Sequence, residues 1–377
     1  MIIHTKELQD IAQKILTTIN TNDTVNNTDQ LQLTTVDQHL HLSVASDEYF
    51  VDIQISDVTA ESIHAVVNAN VFLKLVMQIT TESITLTASD QTLTVKGNGT
   101  YTLPLIYSSN GEVVHLNGIT IRNPVKQLSV SSDTLCSLLK YNAKQLTTVK
   151  TVSSPLQRVF YMDECGAITF TEGACLNNFA LSTPVQVLLG AKLVKLFKLF
   201  QNDEPVEMVV GYDSVGGSEE IIQTKVRFST PLVNITAILT CDDSLLSSYP
   251  AKEIRASAML AYPYSTSISR ELLTAAVNRL LLFHSTSDAL QPVVKFEFHA
   301  DDVTISDNRT KNRETVDYLN TIDNIPAKYT AVINLNELKA TLDTCTEAYL
   351  SVHFGSDKAL VIVRGNVYNI IPQRGNE

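Results

Sequence analysis

Few side chains in this 377-residue chain are spaced for chemistry. The nearest approach to a metal pair is His39-Leu40-His41, since alternate strand residues share one face and two imidazoles there could ligate zinc. No third ligand stands at a suitable spacing, so the simpler reading is the solvent side of a strand whose Leu40, Leu42 and Val44 point inward. Gly97-Asn98-Gly99 and the SVGGSEE stretch from Ser214 carry turn glycines, but neither continues as a phosphate-cradling G-x-G-x-x-G or P-loop ahead of a helix. Asp242-Asp243 and Asp301-Asp302 sit at loop or strand ends, where water solvates carboxylates. No nucleophile can be named with its base. The five cysteines (Cys136, Cys165, Cys175, Cys241, Cys345) are odd in number and scattered, which fits reduced thiols rather than a disulfide frame or a zinc site. No reaction, cofactor or metal is expected.

Composition bounds the class. With 44% hydrophobic and 18% charged residues the chain reads as globular, and its length suggests two or three domains. No apolar run reaches the roughly 18 residues of a membrane span. The opening MIIHTKELQDIAQKIL has no secretory pattern, so a cytoplasmic setting is expected. The net charge of −12 constrains partners: a chain this acidic can hold nucleic acid only through a local basic surface, or without gripping it tightly.

The elements that would position such a surface recur. VKGNGTYTLPL from Val95, VRFSTPLVNITAIL from Val226 and VRGNVYNIIPQ from Val363 each read as Val and a cation, a turn, and an alternating strand, 131 and 137 residues apart. Upstream of each lies an apolar helix: NVFLKLVMQI, AKLVKLFKLF and LNELKATLDT. A further helix with a polar start opens each unit: HTKELQDIAQKIL, SSDTLCSLLKYNA and SISRELLTAAVNRLLL. Their leading leucines, Leu8, Leu135 and Leu272, are 127 and 137 residues apart. The expectation is an α+β chain of three tandem copies, 1–125, 126–255 and 256–377, each with two helices and antiparallel sheets. A period this long means domain triplication rather than a solenoid. The apolar tail Val367–Ile371 is then the last strand of the third copy.

Three such domains ending in strand-Pro-x-Arg resemble the bacterial DNA polymerase III beta sliding clamp, over the whole chain. The family's Y-x-x-M-P-x-R terminus is similar to YNIIPQR, placing Tyr368, Ile371, Pro372 and Arg374, with Asn369 and Ile370 in the strand and Gln373 as the hydrophobic after proline. Its T-D-G-H-R-L-A segment resembles ACLNNFA, giving Asn177, Asn178 and Phe179 for His, Arg and Leu. Its F-N-p-x-Y-L helix start is similar to INLNEL, matching at Asn334, with Glu337 in place of an aromatic. The F-P-D-Y loop appears only as LSSY, from Leu246 to Tyr249. Leu156 and Leu290 are expected to line the same cleft. The resemblance implies a homodimeric ring of six domains around double-stranded DNA, helices inward, with no membrane association. It implies that polymerase and clamp loader dock peptides in a cleft between the second and third domains.

The basic residues fit that expectation. Lys74, Lys195 and Lys339 occupy one place in the three second helices. Lys14, Lys140 and Arg279 fall near one another in the first helices, with Lys144, Lys192 and Lys198 close by. On helices lining a hole they would meet phosphates only, and so bind without regard to sequence. The alternatives are a structural or adhesion protein of repeated β-rich domains without a DNA role, a two-domain-type trimeric clamp, and an enzyme with an unrecognised site. The first explains the repeats but not the recurring cations; three chains of the second type would give nine domains.

Overall fold

The computed structural model describes the chain except for residues 57, 59–61, 148–153, 215–221, 240–242, 285–291, 308–310, 326–328, 356–358 and 375–377. One order of elements runs through it three times: strand, helix, four strands, helix, three strands. The first copy comprises β1 (Ile2–His4), α1 (Thr5–Thr18), β2 (Gln30–Val36), β3 (His39–Ala45), β4 (Tyr49–Ile55), β5 (His64–Asn68), α2 (Ala69–Gln78), β6 (Ser83–Ala88), β7 (Thr92–Lys96) and β8 (Thr100–Pro104). The second comprises β9 (Pro124–Ser131), α3 (Ser132–Ser137), β10 (Val159–Asp163), β11 (Gly166–Phe170), β12 (Ala174–Asn178), β13 (Gln186–Gly190), α4 (Ala191–Leu196), β14 (Pro205–Ser214), β15 (Ile222–Ser229) and β16 (Val233–Leu239). Two helices, α5 (Asp243–Ser247) and α6 (Ala251–Ala258), precede the third. That copy is β17 (Tyr264–Ser269), α7 (Arg270–His284), β18 (Val293–Phe298), β19 (Asp302–Ser306), β20 (Arg313–Asp317), β21 (Tyr329–Asn334), α8 (Leu335–Leu342), β22 (Tyr349–Phe354), β23 (Ala359–Arg364) and β24 (Val367–Pro372).

Sheet pairing follows one rule. Within a copy the first, sixth, seventh and eighth strands form one antiparallel set, and the fifth, second, third and fourth form another. The fourth strand of one copy then pairs with the eighth strand of the next. β4 meets β16 with Val51 opposite Ile235, and β12 meets β24 with Ala174 opposite Ile370. Two eight-stranded sheets result, leaving four-stranded sheets at the two ends of the order, β1-β6-β7-β8 and β20-β19-β18-β21. The tail is ordered because β24 lies between β12 and β23, with Ile371 opposite Leu360 and 1% exposed.

Packing divides the chain by sheet rather than by repeat. One compact unit holds Met1–Cys136 and Lys192–Asp242; the other holds Ser137–Ala191 and Asp243–Glu377. The sequence spacing marks the copies, while the shared sheets join the halves of adjacent copies into units.

The helices carry the repeat into the cores. Leu8, Leu135 and Leu273 occupy the same helix position and are 0%, 0% and 2% exposed. The sequence spacing points to Leu272 as the third leucine, but it is 53% exposed. Two leucines in a row left the face ambiguous, and the neighbour turns inward. In the second helices the buried pairs are Phe72-Leu73, Leu193-Val194 and Glu337-Leu338, each followed by the recurring lysine. Asn68 and Asn334 cap α2 and α8 through Val71 N (3.0 Å) and Asn336 N (2.9 Å). The first helix of the second copy widens into a π-helical turn at Leu138–Asn142, where buried Asn142 donates to Cys175 O at 3.1 Å. Among the described residues no helix is long and apolar enough to cross a membrane.

Candidate functional site

β24 and the two residues after it gather a cluster within the second unit. β24 ends at Pro372, and two residues on Arg374 N donates to Val332 O of β21, a strand of another sheet, at 2.9 Å. Beside it, β11 turns into β12 through Thr171-Glu172-Gly173, closed by Thr171 N donating to Gly173 O at 2.8 Å. Only glycine fits at 173, because a Cβ there would lie 2.7 Å from Ile370 O and 2.9 Å from Glu337 Oε2. The turn therefore sits directly against the end of β24. Glu172 pairs with Arg374 and accepts from the Asn334 amide at 3.2 Å, while Gln373 Nε2 donates to Tyr329 Oη at 2.9 Å. A 3-10 turn at Pro155–Arg158, held by a Ser154 capping box, brings Leu156 alongside, and Gln157 Nε2 donates to Thr171 O at 3.2 Å. Beneath lies Glu337, 1% exposed, which accepts from Thr171 Oγ1 at 3.3 Å and from Gln145.

The structure thus brings together Leu156, Asn334, Ile370, Pro372, Gln373 and Arg374, with Ile371 beneath them as part of the third copy's core. It does not bring Asn177, Asn178 and Phe179 to the same place. β12 runs antiparallel to β24, so these residues lie towards Val367 and Asn366, at the opposite end of the strand from Arg374. Asn177 is buried and donates to Ser137 Oγ at 2.7 Å. The turn beside Arg374 is Thr171-Glu172-Gly173, three residues earlier, and Thr-Glu-Gly is the closer chemical match to Thr-Asp-Gly. Asn369 is 2% exposed and accepts from Arg364 Nη2 at 2.6 Å. Leu290 lies outside the described residues. Tyr249 of the LSSY stretch is buried against Tyr161 (ring centroids 4.8 Å apart) and donates to Ile168 O at 3.0 Å.

The basic residues divide into two groups. Lys74, Lys195 and Lys198 are exposed and form no ion pair among the described residues, and Lys144 is also exposed. Lys140 stands 4.8 Å from the Tyr141 ring centroid. The rest are committed elsewhere. Lys339 pairs with Asp343 one turn on. Lys192 pairs with Glu48 at 2.6 Å, and that hydrogen bond raises its pKa. Lys14 Nζ donates to Leu199 O at 3.1 Å. Arg279 grips Glu314 with Nε to Oε1 at 2.7 Å and Nη2 to Oε2 at 2.8 Å, which holds the Glu314 carboxyl below its usual range.

The other candidate chemistry resolves simply. His41 Nδ1 lies 2.7 Å from Asp52 Oδ2 across the strand pair, and Ser43 Oγ donates to Asp52 Oδ1 at 2.7 Å. Among the described residues no three His, Cys, Asp or Glu side chains are grouped to hold a metal ion. Gly97-Asn98-Gly99 is the β7–β8 turn, Asp243 opens α5 and Asp302 opens β19. Residues 215–220 of the SVGGSEE stretch, with Cys241 and Asp242, lie outside the described residues.

No family model and no curated protein matches the sequence. Solved structures do match. The DNA polymerase III beta subunit of Borrelia burgdorferi, in complex with a natural product, is 13% identical with a TM-score of 0.77, over 100% of this chain and 99% of that one. The sliding clamp of Bacillus subtilis is 15% identical with a TM-score of 0.75, over the same shares. The Helicobacter pylori beta clamp bound to a DNA ligase peptide is 12% identical with a TM-score of 0.72, again over 100% and 99%. The chain therefore has the bacterial beta sliding clamp fold along its whole length, with a sequence that has diverged far from these relatives.

Proposed function

We propose that this chain is a DNA sliding clamp: a non-enzymatic, cytoplasmic processivity factor that closes as a homodimer around duplex DNA and tethers polymerase and other partners by their peptides. The observation that carries the reading is the pair of sheet edges left over by the pairing rule. Fourth strands pair with eighth strands at both internal junctions, which among the described residues leaves the eighth strand of the first copy, β8, and the fourth strand of the third, β20, without that partner. The two are complementary in kind. A second copy of the chain, joined head to tail, supplies β8 to β20 and β20 to β8, and such heterologous joints make rings when they close. On the core side, Tyr101 and Leu103 follow Val95 and Leu93, and Val316 and Glu314 follow Val303 and Ile305.

The helices support the same joint. Between the first and second copies, α1 packs against the Phe197–Leu199 turn that ends the second helix. The corresponding face of α7 leaves Leu272, Leu282 and Phe283 53%, 68% and 52% exposed, and α2 leaves Val71 54% exposed. A protein working as a monomer would gain nothing from apolar side chains beside an open strand edge. The domain divisions 1–125, 126–255 and 256–377 give such a dimer six domains. The exposed lysines Lys74, Lys195 and Lys198 supply its phosphate contacts. By likeness to the peptide-bound Helicobacter pylori clamp, the cluster around Glu172, Asn334, Pro372 and Arg374 would take a partner's peptide.

The test is negative-stain electron microscopy with mass measurement. The expected result is six-lobed rings with a duplex-sized hole, at twice the 41.5 kDa chain mass. Compact monomers at concentrations well above micromolar overturn the reading.

A further inference from the structure

Arg279 stands on α7 where Lys14 stands on α1, each nine residues beyond the first residue of its helix, Arg270 and Thr5. Lys14 is not a free cation. Its ammonium crosses from the first copy to the second and donates to Leu199 O, at the C-terminal end of the next copy's second helix. Helix C-termini expose unpaired carbonyls and carry partial negative charge, so a cation there satisfies both needs.

The register of the second helices identifies the matching carbonyl for Arg279. Lys74 and Lys195, each preceded by a buried pair, take the same place in α2 and α4, so Val76 corresponds to Phe197 and Gln78 to Leu199. In keeping, Gln9 Nε2 donates to Val76 O, as well as to Ile79 O, and Cys136 Sγ to Phe197 O. We propose that Arg279 is a ring-closing residue rather than a DNA contact: steadied by Glu314 on the free edge β20, its guanidinium donates to the carbonyl of Gln78 of the partner subunit. This rests on the ring reading above and assigns it a residue.

Three further observations agree. Arg279, Leu282 and Phe283 lie three and four residues apart and so form one stripe on α7, beside the edge that awaits a partner. Guanidinium has five donors, and Glu314 occupies only Nε and Nη2, so Nη1 is left to reach across the joint. Finally, the cation adjoins an exposed apolar strip, the composition of a subunit joint rather than of a phosphate-facing wall.

The test measures the monomer–dimer dissociation constant of the full chain by sedimentation, and in parallel the salt dependence of DNA binding above that constant. Arg279→Ala should raise the dissociation constant by about tenfold or more, because a charged hydrogen-bond donor at a buried joint is lost. It should leave the salt slope of DNA binding unchanged. Arg279→Lys should restore most of the association, since lysine serves the corresponding place on α1; this variant also guards against misfolding in the alanine form. Unchanged dimerisation in Arg279→Ala with a shallower salt slope overturns the assignment and returns Arg279 to the DNA wall. A wild-type chain that stays monomeric at every concentration overturns the ring reading itself, a result distinct from the first.

Discussion

Removing the apolar end of α7 should dissolve the dimer without harming the fold. Full burial of a leucine or phenylalanine side chain is worth about 1.5–3 kcal/mol. Leu282 and Phe283 are 68% and 52% exposed in the single chain, so association has only those fractions left to recover. Truncating both to Ala then costs about 2–3 kcal/mol per joint; a closed dimer has two joints, so association loses about 4–6 kcal/mol, or about a thousandfold or more in dissociation constant. The folded subunit should register a smaller change than the joint, because both side chains are more than half exposed in it. The assay is mass photometry over a dilution series, with thermal unfolding as the control for fold. Met259→Ala, which removes another exposed apolar side chain (59%) away from α7, is the comparison. If Leu282→Ala/Phe283→Ala dimerises as tightly as wild type, these residues do not lie in the joint, and the argument from the leftover strand edges loses its helical half.

Four further outcomes are expected. Each exposed lysine that meets a phosphate adds about 0.9 to the slope of log affinity against log salt, so Lys74→Ala/Lys195→Ala, which takes about four lysines from a homodimeric ring, should lower it by about 3.6, read by fluorescence anisotropy. Gly173→Ala should destabilise by about 1–3 kcal/mol, seen as a lower Tm, because the new methyl has no room beside Ile370 O and Glu337. Glu314 has its carboxyl pKa depressed by Arg279, so its stabilising contribution is complete above the ordinary glutamate value of 4.5 and fades as the pH falls below it. Urea melts of Glu314→Gln between pH 6 and 3 should lose that part of the pH dependence. Burial pushes the Cys175 and Cys345 thiols up to about 12 and about 11, whereas Cys165 is exposed; native-state thiol titration should label Cys165 first and the buried pair only on unfolding.

Much of the architecture was legible in the sequence because the repeat is written in local signals. Val-cation-turn-strand hairpins and polar-start helices need only neighbouring residues, and three occurrences of each outweigh the weakness of one. What misled was position within a signal. Leu272 and Leu273 are adjacent, and only the core could show which one turns inward. Residue order along the strand suggests Asn177-Asn178-Phe179 for the family segment, whereas the close approach at Gly173 makes Thr171-Glu172-Gly173 the turn that meets β24. Glycine crowded by a backbone oxygen has a physical necessity that an asparagine standing in for histidine lacks. The recurring cations stand on the helices that the repeat marks, but Lys14, Lys192, Lys339 and Arg279 are paired by residues far away in sequence or one helical turn on, and local spacing carries no record of the distant partners.

The two unmatched strands also set a condition on concentration. An edge with vacant N–H and C=O groups is a template for any extended segment, and Thr100–Pro104 offers few charges to repel one. Mated, both edges vanish at once. Unmated, β8 of one molecule can meet β20 of another without end, so the joint that closes a ring is also able to grow a fibre. Closure in two steps is what keeps the assembly finite. Variants that bend that joint, rather than simply weaken it, are therefore expected to leave solution as polymer.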